Sequence, residues 1–429
     1  MNKLKELNER YLTKIVWTLR FIIGVTFILS GIVKAIDLWG FTYKIEQYLN
    51  VWNISQPHSI VLFVATVISF AEFTLGALLF TGSYKRTSSW LLLLTMAFML
   101  PLSLYIAIAD PVSDCGCFGD FWIISNTATF FKNLIITVAL VYLSIFNSRV
   151  LGLYSKYIQW IQVTSLLIYA SVIGYEGYSV QPLLDFRPYK IGTPIIATST
   201  DDSASDDISF IYEKDGEQSI FTIDNLPDSS WTFIERVELE NRFDSHGFTI
   251  YDNDDDVTDL AISDTGEEIL LIIPDISDVN IAYTYLINEI HRYITARNGS
   301  FVGLLATDSR GIELWKDLSL ATYPLYSVED TSLKEIARGQ MSLLYLKDGI
   351  IQWKRTILSI DPALFVSPTD KEPLSELYIS GWQRFSIISA ILIVFMCILW
   401  ALNRGGYVVK WYLYRKNKNK SVTLQKEKD

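Results

Sequence analysis

Residues 20–49 read RFIIGVTFILSGIVKAIDLWGFTYKIEQYL, and the change of pattern at Asp37 decides how the chain begins. Up to Ile36 the stretch is apolar and, taken from Ile15, reaches the ~20 residues that a bilayer-spanning helix needs. After Asp37 it becomes amphipathic and aromatic, with Trp39, Phe41, Tyr43, Ile45 and Tyr48, a pattern suited to a segment lying in the membrane interface. Gly24, Ser30 and Gly31 are small enough to let a second helix approach closely in lipid. The stretch holds Arg20 and Lys34 and lacks a small-residue cleavage site, so it reads as a retained anchor and not a signal peptide.

Five further apolar runs follow, at Ile60–Gly82, Ser89–Ala109, Phe130–Phe146, Ile158–Gly174 and Phe385–Leu402. Half of the 429 residues are apolar, a composition that points to a membrane protein. With six alternating spans, the basic residues Lys3, Lys5, Arg10, Lys14, Lys85, Arg86, Arg149 and Lys156 and the tail from Arg404 all fall on one side. The excess of Lys and Arg makes that side the cytoplasm. Residues 176–380 then face outward with 37 acidic and 15 basic residues, a net of −22, while the rest of the chain carries 10 and 21. An acidic outward region argues against a nucleic-acid partner, and the basic tail suits anionic lipid headgroups.

Glu72 lies ten residues before Gly82, roughly 15 Å into the second span at about 1.5 Å per residue. An unpaired charge there costs at least about 2.5–3.5 kcal/mol, so Glu72 is expected to be protonated or to meet a cation. Arg20 is the cation expected to reach it, either as a staple between helices or as part of a proton or substrate route. Lys34 and Asp37, three residues apart, are expected to pair with each other.

Between the third and fourth runs stands Asp114-Cys115-Gly116-Cys117-Phe118-Gly119-Asp120, which holds two of the three cysteines. Gly116 permits the bend that brings an i,i+2 pair of thiols within bonding reach. In an oxidising compartment such a pair is a candidate for thiol–disulfide exchange. Against this, the carboxylates of Asp114 and Asp120 would raise the thiol pKa and deplete the thiolate. The residues leave open a redox-active pair, a structural clip, or, with weak support in the absence of a nearby histidine, a metal pair. Nothing in the sequence marks a metal or cofactor site. Cys397 reads as an apolar helix residue and His58, His246 and His291 as surface or capping residues. The Asp252–Asp256 acidic run lacks the spacing of a calcium loop.

The pattern RxxxGxxFxxSGxxKxxDxxGxxYKIxxYL, the membrane glutamate, DCGCFGD and the FFKN before the fourth span together resemble the DoxX/MauE family over about residues 15–147. One departure is Leu38, where proline often follows the aspartate. The resemblance implies a four-helix membrane bundle linked to methylamine utilisation and to thiol or oxidative-stress functions. LLDFRPYKIGTPI at Leu183–Ile195, FIYEKDG at Phe210–Gly216 and FTIDNLPDSSWTF at Phe221–Phe233 are similar to a longer DoxX subgroup of Gram-negative bacteria. There the bundle is fused to an extra span and a periplasmic domain.

The outward region divides into a linker and β-rich unit over 181–265 and an α/β series over 266–360. EEILLIIPD, SFVGLLATD and TYPLYSVED read as strands, and VNIAYTYLINEIHRYITARNG as a helix. Thr331 is expected to cap a short helix, and MSLLYLKDGIIQWKR to form a hairpin turning at Asp348-Gly349. This order resembles a thioredoxin fold, but Pro274-Asp275-Ile276-Ser277-Asp278 replaces the Cys-x-x-Cys and Gln340-Met341 stands where a cis-proline is usual. The region is thus expected to bind and not to catalyse.

The expected architecture is a membrane α-helical protein: a four-span bundle over 1–150, a fifth span over 151–180, the outward α/β region, a linker at 361–384, a sixth span at 385–403 and a cytoplasmic tail at 404–429. Both termini are expected in the cytoplasm of an inner membrane, with lipid and an envelope protein as partners. The expected role is an accessory, not an independent enzyme, exchanging disulfides through Cys115 and Cys117. A non-enzymatic scaffold and transport through the bundle are the alternatives.

Overall fold

The structure, a computed structural model, describes residues 2–112, 115–195, 208–214, 217–222, 231–238, 248–253, 255–366 and 372–426. These divide into two compact units. One comprises residues 1–186, 355–360 and 378–429, the other residues 187–354 and 361–377. Asp114 and His246 lie outside the described residues.

The first unit is helical. Its elements are α1 (Asn2–Ile36), α2 (Leu38–Val51), α3 (His58–Thr81), α4 (Lys85–Ala109), α5 (Asn126–Phe146) and α6 (Gln159–Ser179), with a long helix, Gly381–Lys426, near the chain's end. Among the described residues, five helical stretches are long and apolar enough to cross a membrane: Glu9–Ile36, His58–Thr81, Lys85–Ala109, Asn126–Arg149 and Pro373–Gly405. Five of the six expected runs thus meet that measure; α6, at the fifth run, does not. Phe63, Leu94, Phe98, Ile108 and Ile135 are each more than two-thirds exposed, which a lipid-facing surface requires and a water-facing one would not tolerate.

The break at Asp37 is real. Its carboxylate accepts a hydrogen bond from the Gly40 N–H at 2.8 Å, capping a new helix one residue after α1 ends and satisfying a donor that would otherwise be orphaned. The aromatic residues of α2 then anchor it. Trp39 stacks on Tyr178 of α6 with ring centroids 5.3 Å apart and on His58 at 4.9 Å.

The antiparallel α1–α3 contact rests on glycines. A Cβ on Gly24 would come 2.8 Å from Phe80 Cβ, one on Gly76 2.7 Å from the Ile28 nitrogen, and one on Gly31 would collide with the Phe73 backbone. These approaches fix the register, and in it Glu72 faces α1 between Ser30 and Lys34. At one end of α3, Gly82 adopts a left-handed φ of 67°, and a set of polar groups binds the bundle there. Ser83 donates to Gln162 Oε1 at 2.6 Å and Gln162 donates to Thr81 at 2.8 Å. The polar residues that distinguish α6 are therefore the ones buried against α3. On its other side Tyr169 meets Ser389 at 2.8 Å and Arg384 pairs with Glu176 at 2.9 Å.

The second unit carries two sheets. β1 (Ile208–Lys214), β2 (Glu217–Thr222) and β3 (Thr232–Glu238) form an antiparallel sheet ordered β2-β1-β3. The larger sheet has seven strands: β4 (Ile250–Asp252), β5 (Asp255–Asp256), β6 (Glu267–Ile273), β7 (Ser300–Leu305), β8 (Leu325–Val328), β9 (Ser342–Lys347) and β10 (Ile350–Thr356). Their order is β10-β9-β6-β7-β8-β4-β5. The β-rich segment expected over 181–265 is thus shared between the sheets, because β4 pairs antiparallel with β8 at the edge of the larger one.

β6 is buried over six consecutive residues, as a strand covered on both faces must be. It pairs in parallel with β7 and antiparallel with β9. Between β5 and β6 lies α7 (Thr258–Ala261), and between β6 and β7 lies α8 (Thr284–Thr295). α8 buries Leu286, Ile287, Ile290 and Ile294, a helical stripe in which each side chain contributes about 1.5–3 kcal/mol. A helix not expected from the sequence, α9 (Ser309–Ser319), joins β7 to β8 and is capped by Asp308, which accepts from the Gly311 N–H. The helix expected to start at Thr331 is α10 (Asp330–Ile336), whose N-cap is Glu329. Asp348 and Gly349 have φ of 49° and 71°, the left-handed pair that a tight hairpin turn demands. Two single turns, α11 (Ala363–Val366) and α12 (Pro373–Glu376), precede the final helix, α13 (Gly381–Lys426).

Candidate functional site

The loop from Asp110 to Ser125 is braced at its base. Asn126, the first residue of α5, donates from Nδ2 to Asp110 Oδ1 at 2.7 Å and to the Val112 carbonyl at 2.9 Å. Gly116 turns with φ of 67°, and a Cβ there would come 2.7 Å from the Lys44 stem, so α2 closes over the turn. Phe118 is buried, its ring tilted against Trp122, with the Lys132 Nζ 4.6 Å from its ring centroid. Gly119 lies against Val33 and starts a short 3-10 turn that ends at Phe121, leaving Asp120 exposed.

This folding brings the two thiols together. Cys115 and Cys117 are both half-buried and unbridged, with their sulfurs 2.9 Å apart. The Cys117 carbonyl is within 2.9 Å of the Ser30 hydroxyl in α1. Ser30 also lies 2.8 Å from Glu72 Oε2 and accepts a hydrogen bond from Lys34 Nζ at 2.8 Å. Lys34 and Glu72 close the cluster with a 2.6 Å ion pair whose side chains are 1% and 5% exposed. Two sequence expectations are corrected here. Lys34 turns to Glu72 and not to Asp37, which caps α2. Arg20, expected to meet Glu72, is held elsewhere.

Arg20 is fully buried and bonds Asn147 Oδ1 at 2.5 Å and the carbonyls of Asn147, Val150 and Leu151 at 2.9–3.0 Å. The antiparallel register explains why. Arg20 lies about one turn beyond the Gly24–Phe80 contact and about four turns from Lys34 along α1, and its guanidinium sits against Gly82. The route expected to link Arg20 to Glu72 is therefore replaced by two separate clusters, a structural clasp at Arg20 and a polar cluster beneath the thiols at Lys34.

A cavity of about 30 Å³ sits within the bundle beside the loop, roomy enough for about one or two water-sized molecules. It is lined by Ser30, Lys34, Glu72, Cys117, Lys132 and Asn133 on a framework of apolar side chains. Among the described residues, the charges acting on Cys117 are those of Lys132 and Lys34, opposed by Glu72; Asp114 lies outside them. The hydrogen bond from Cys115 is the largest influence on Cys117, and Lys132 and Lys34 add to it against burial and Glu72. The Cys117 thiol falls to about 6 as a result. The same sulfur–sulfur bond, with burial, drives Cys115 upward.

Residues 12–146 match the family model described as methylamine utilisation protein MauE. The membrane domain is of the MauE type. The match covers α1 to α5 and so takes in every residue of the thiol cluster, Ser30, Lys34, Glu72, Cys115, Cys117 and Lys132. Residues 207–239, containing β1–β3, match a domain of unknown function (DUF8463). No curated protein and no solved structure matches the chain.

The remaining candidates lie apart from the MauE-type cluster. Cys397 is exposed on α13. His58 is more than a surface residue: its Nδ1 is 2.6 Å from Glu46 Oε1 and its ring stacks on Trp39. His291 packs edge-on against Phe301 and Tyr323, and burial lowers its pKa. Within the acidic run, Asp256 accepts from the Thr258 hydroxyl and N–H, ending the β4–β5 hairpin. Lys132 and Ser30's link to Cys117 are the parts of this cluster that the sequence alone does not single out. The signal for Lys132 is a lysine inside an apolar run, in FFKN.

Proposed function

We propose that the protein is an inner-membrane accessory of envelope thiol–disulfide exchange or protein maturation, acting through Cys115 and Cys117. The observation that carries this reading is the 2.9 Å contact of the two sulfurs above a cavity that holds a buried Lys34–Glu72 pair. In the exchange, a thiolate of the loop attacks one sulfur of a partner's disulfide and expels the other as a thiolate. The second loop thiol then attacks the mixed disulfide and releases the partner. The partner disulfide gains two electrons, the loop dithiol becomes a disulfide, and the two thiol protons pass to the partner's thiolates. The same steps reversed oxidise a partner dithiol.

In this reading the loop and the second unit face the periplasm, both termini are cytoplasmic, and α6 is the fifth of six spans. The parallel β6–β7 pair flanked by β9 and β10 supports a thioredoxin-like origin for the larger sheet. Pro274-Asp275-Ile276-Ser277-Asp278, without cysteine, makes the unit a docking module for the partner. The second reading, a scaffold whose thiols only tie the loop, draws support from the loop's bracing by Asn126 and Ser30.

Acid trapping of cells followed by thiol alkylation and mass spectrometry separates the two. A mixed population of Cys115–Cys117 dithiol and disulfide, shifting with added oxidant or reductant, is expected for exchange. A pair locked in one state under every condition leaves the scaffold reading in place.

A further inference from the structure

The cluster beneath the loop contains one charge that the pairing described above does not use. Lys132 is the seventh residue of α5, within an apolar stretch that meets the measure of a membrane span. A lysine so placed is costly and calls for a partner. Among the described residues it makes no ion pair, and its ammonium rests 4.6 Å from the centroid of the Phe118 ring. Phe118 is the residue next to Cys117, and Lys132 and Cys117 line the same cavity.

Among the described residues, the other charges near Cys117 are engaged or exposed. Lys34 and Glu72 neutralise each other, Asp110 accepts from Asn126, Asp120 is exposed, and the Lys44 stem lies over Gly116. Among the described residues that line the cavity, a Cys117 thiol leaves the Lys132 ammonium without a counter-charge, and a Cys117 thiolate supplies one.

We infer that Lys132 is the counter-ion of the Cys117 thiolate and that Cys117, not Cys115, is the sulfur that attacks a partner's disulfide. This rests on the exchange role proposed above. Cys115 then resolves the mixed disulfide: its sulfur attacks the Cys117 sulfur, the bond to the partner breaks, and the partner leaves as a thiolate that takes up the Cys115 proton. Lys132 touches neither reacting bond through its own chemistry and acts as a positioning residue by holding the entering charge in place.

The test uses the full-length protein, reduced and placed in lipid nanodiscs. Iodoacetamide labelling of each cysteine is followed against pH by peptide mass spectrometry. Cys117 is expected to label about ten-fold faster than Cys115 at neutral pH. Lys132→Met is expected to move the Cys117 midpoint up by about one pH unit, while Lys132→Arg, which keeps the charge, retains the wild-type profile. A merely structural lysine would leave the midpoint in place in all three proteins. Faster labelling of Cys115, or a Lys132→Met profile that matches wild type, overturns the inference.

A dithiobis-nitrobenzoate disulfide and trapping in cells probe exchange separately. A Cys117 that labels as expected but forms no mixed disulfide with either would overturn the exchange role and leave the counter-ion assignment standing. Mixed disulfides formed through Cys115 would do the opposite.

Discussion

Lys34 of α1 and Glu72 of α3 form a 2.6 Å ion pair sealed almost completely from solvent, and the Ser30 hydroxyl joins it to the Cys117 carbonyl. A buried pair of this kind stabilises less than its short distance suggests, since both charges lose their hydration. Removing one partner is the severe change. Glu72→Gln is expected to destabilise the bundle by about 3–5 kcal/mol, whereas Lys34→Met with Glu72→Leu is expected to be near neutral. Thermal unfolding of the three proteins in one detergent gives the order, and a single variant as stable as the double would contradict it.

Gly31 faces the Phe73 backbone too closely for any Cβ. Gly31→Ala is expected to force α1 and α3 apart at a cost of about 1–3 kcal/mol. Because the contact sets the register that joins Lys34 to Glu72, the same substitution should also speed alkylation at Cys117 or Cys115 by loosening the loop's tether. A Tm equal to wild type would show that the helices do not meet there.

Arg20 supplies donors to three carbonyls and to the Asn147 side chain. Arg20→Met keeps the stem but strands those buried acceptors, at about 1–3 kcal/mol for each that water does not reach. Thiol reactivity in the distant loop should be unchanged in folded Arg20→Met protein. A selective effect on the thiols would mean that the two clusters communicate.

Glu268 in β6 is 2% exposed, and burial raises its pKa against the hydrogen bonds from the Ser300 hydroxyl and the Ser263 N–H. The folded state therefore binds the proton more tightly than the unfolded one. Its contribution to stability is present below the unfolded carboxylate value and is lost as pH rises through the folded one. Glu268→Gln is expected to flatten that loss above the ordinary carboxylate range. Chemical denaturation of the full chain at several pH values, read on the β6 and β7 amides by hydrogen exchange, checks it; a variant with the wild-type slope would exclude Glu268 as the source.

The sequence made much of this visible for identifiable reasons. Apolar length marks α1, α3, α4 and α5; the aromatic change at Asp37 marks α2; Asp348-Gly349 marks the hairpin. Periodicity along one helix does not say which residue of the next helix lies opposite, and so Arg20, a cation at plausible depth, stood in for Lys34. The spacing of Gly24, Gly31 and Gly76 held the missing register, because only close glycine contacts allow the α1–α3 approach. The position of Lys132 was hidden for a similar reason. Asp120 is a neighbour of Cys117 in sequence and is exposed, while Lys132 lies fifteen residues on and is brought back by the turn into α5.

Ser30 has one hydroxyl hydrogen and two oxygens that want it, Glu72 Oε2 at 2.8 Å and the Cys117 carbonyl at 2.9 Å. Lys34 already occupies one of its lone pairs, and a hydroxyl has no second hydrogen to give. Each rotation of that single O–H bond therefore favours one neighbour at the other's expense. A hydrogen turned to the carboxylate leaves the loop's carbonyl resting on oxygen; a hydrogen turned to the loop leaves Glu72 to the ammonium alone. The membrane helices and the cysteine turn are thereby tied by a rotor with two stops.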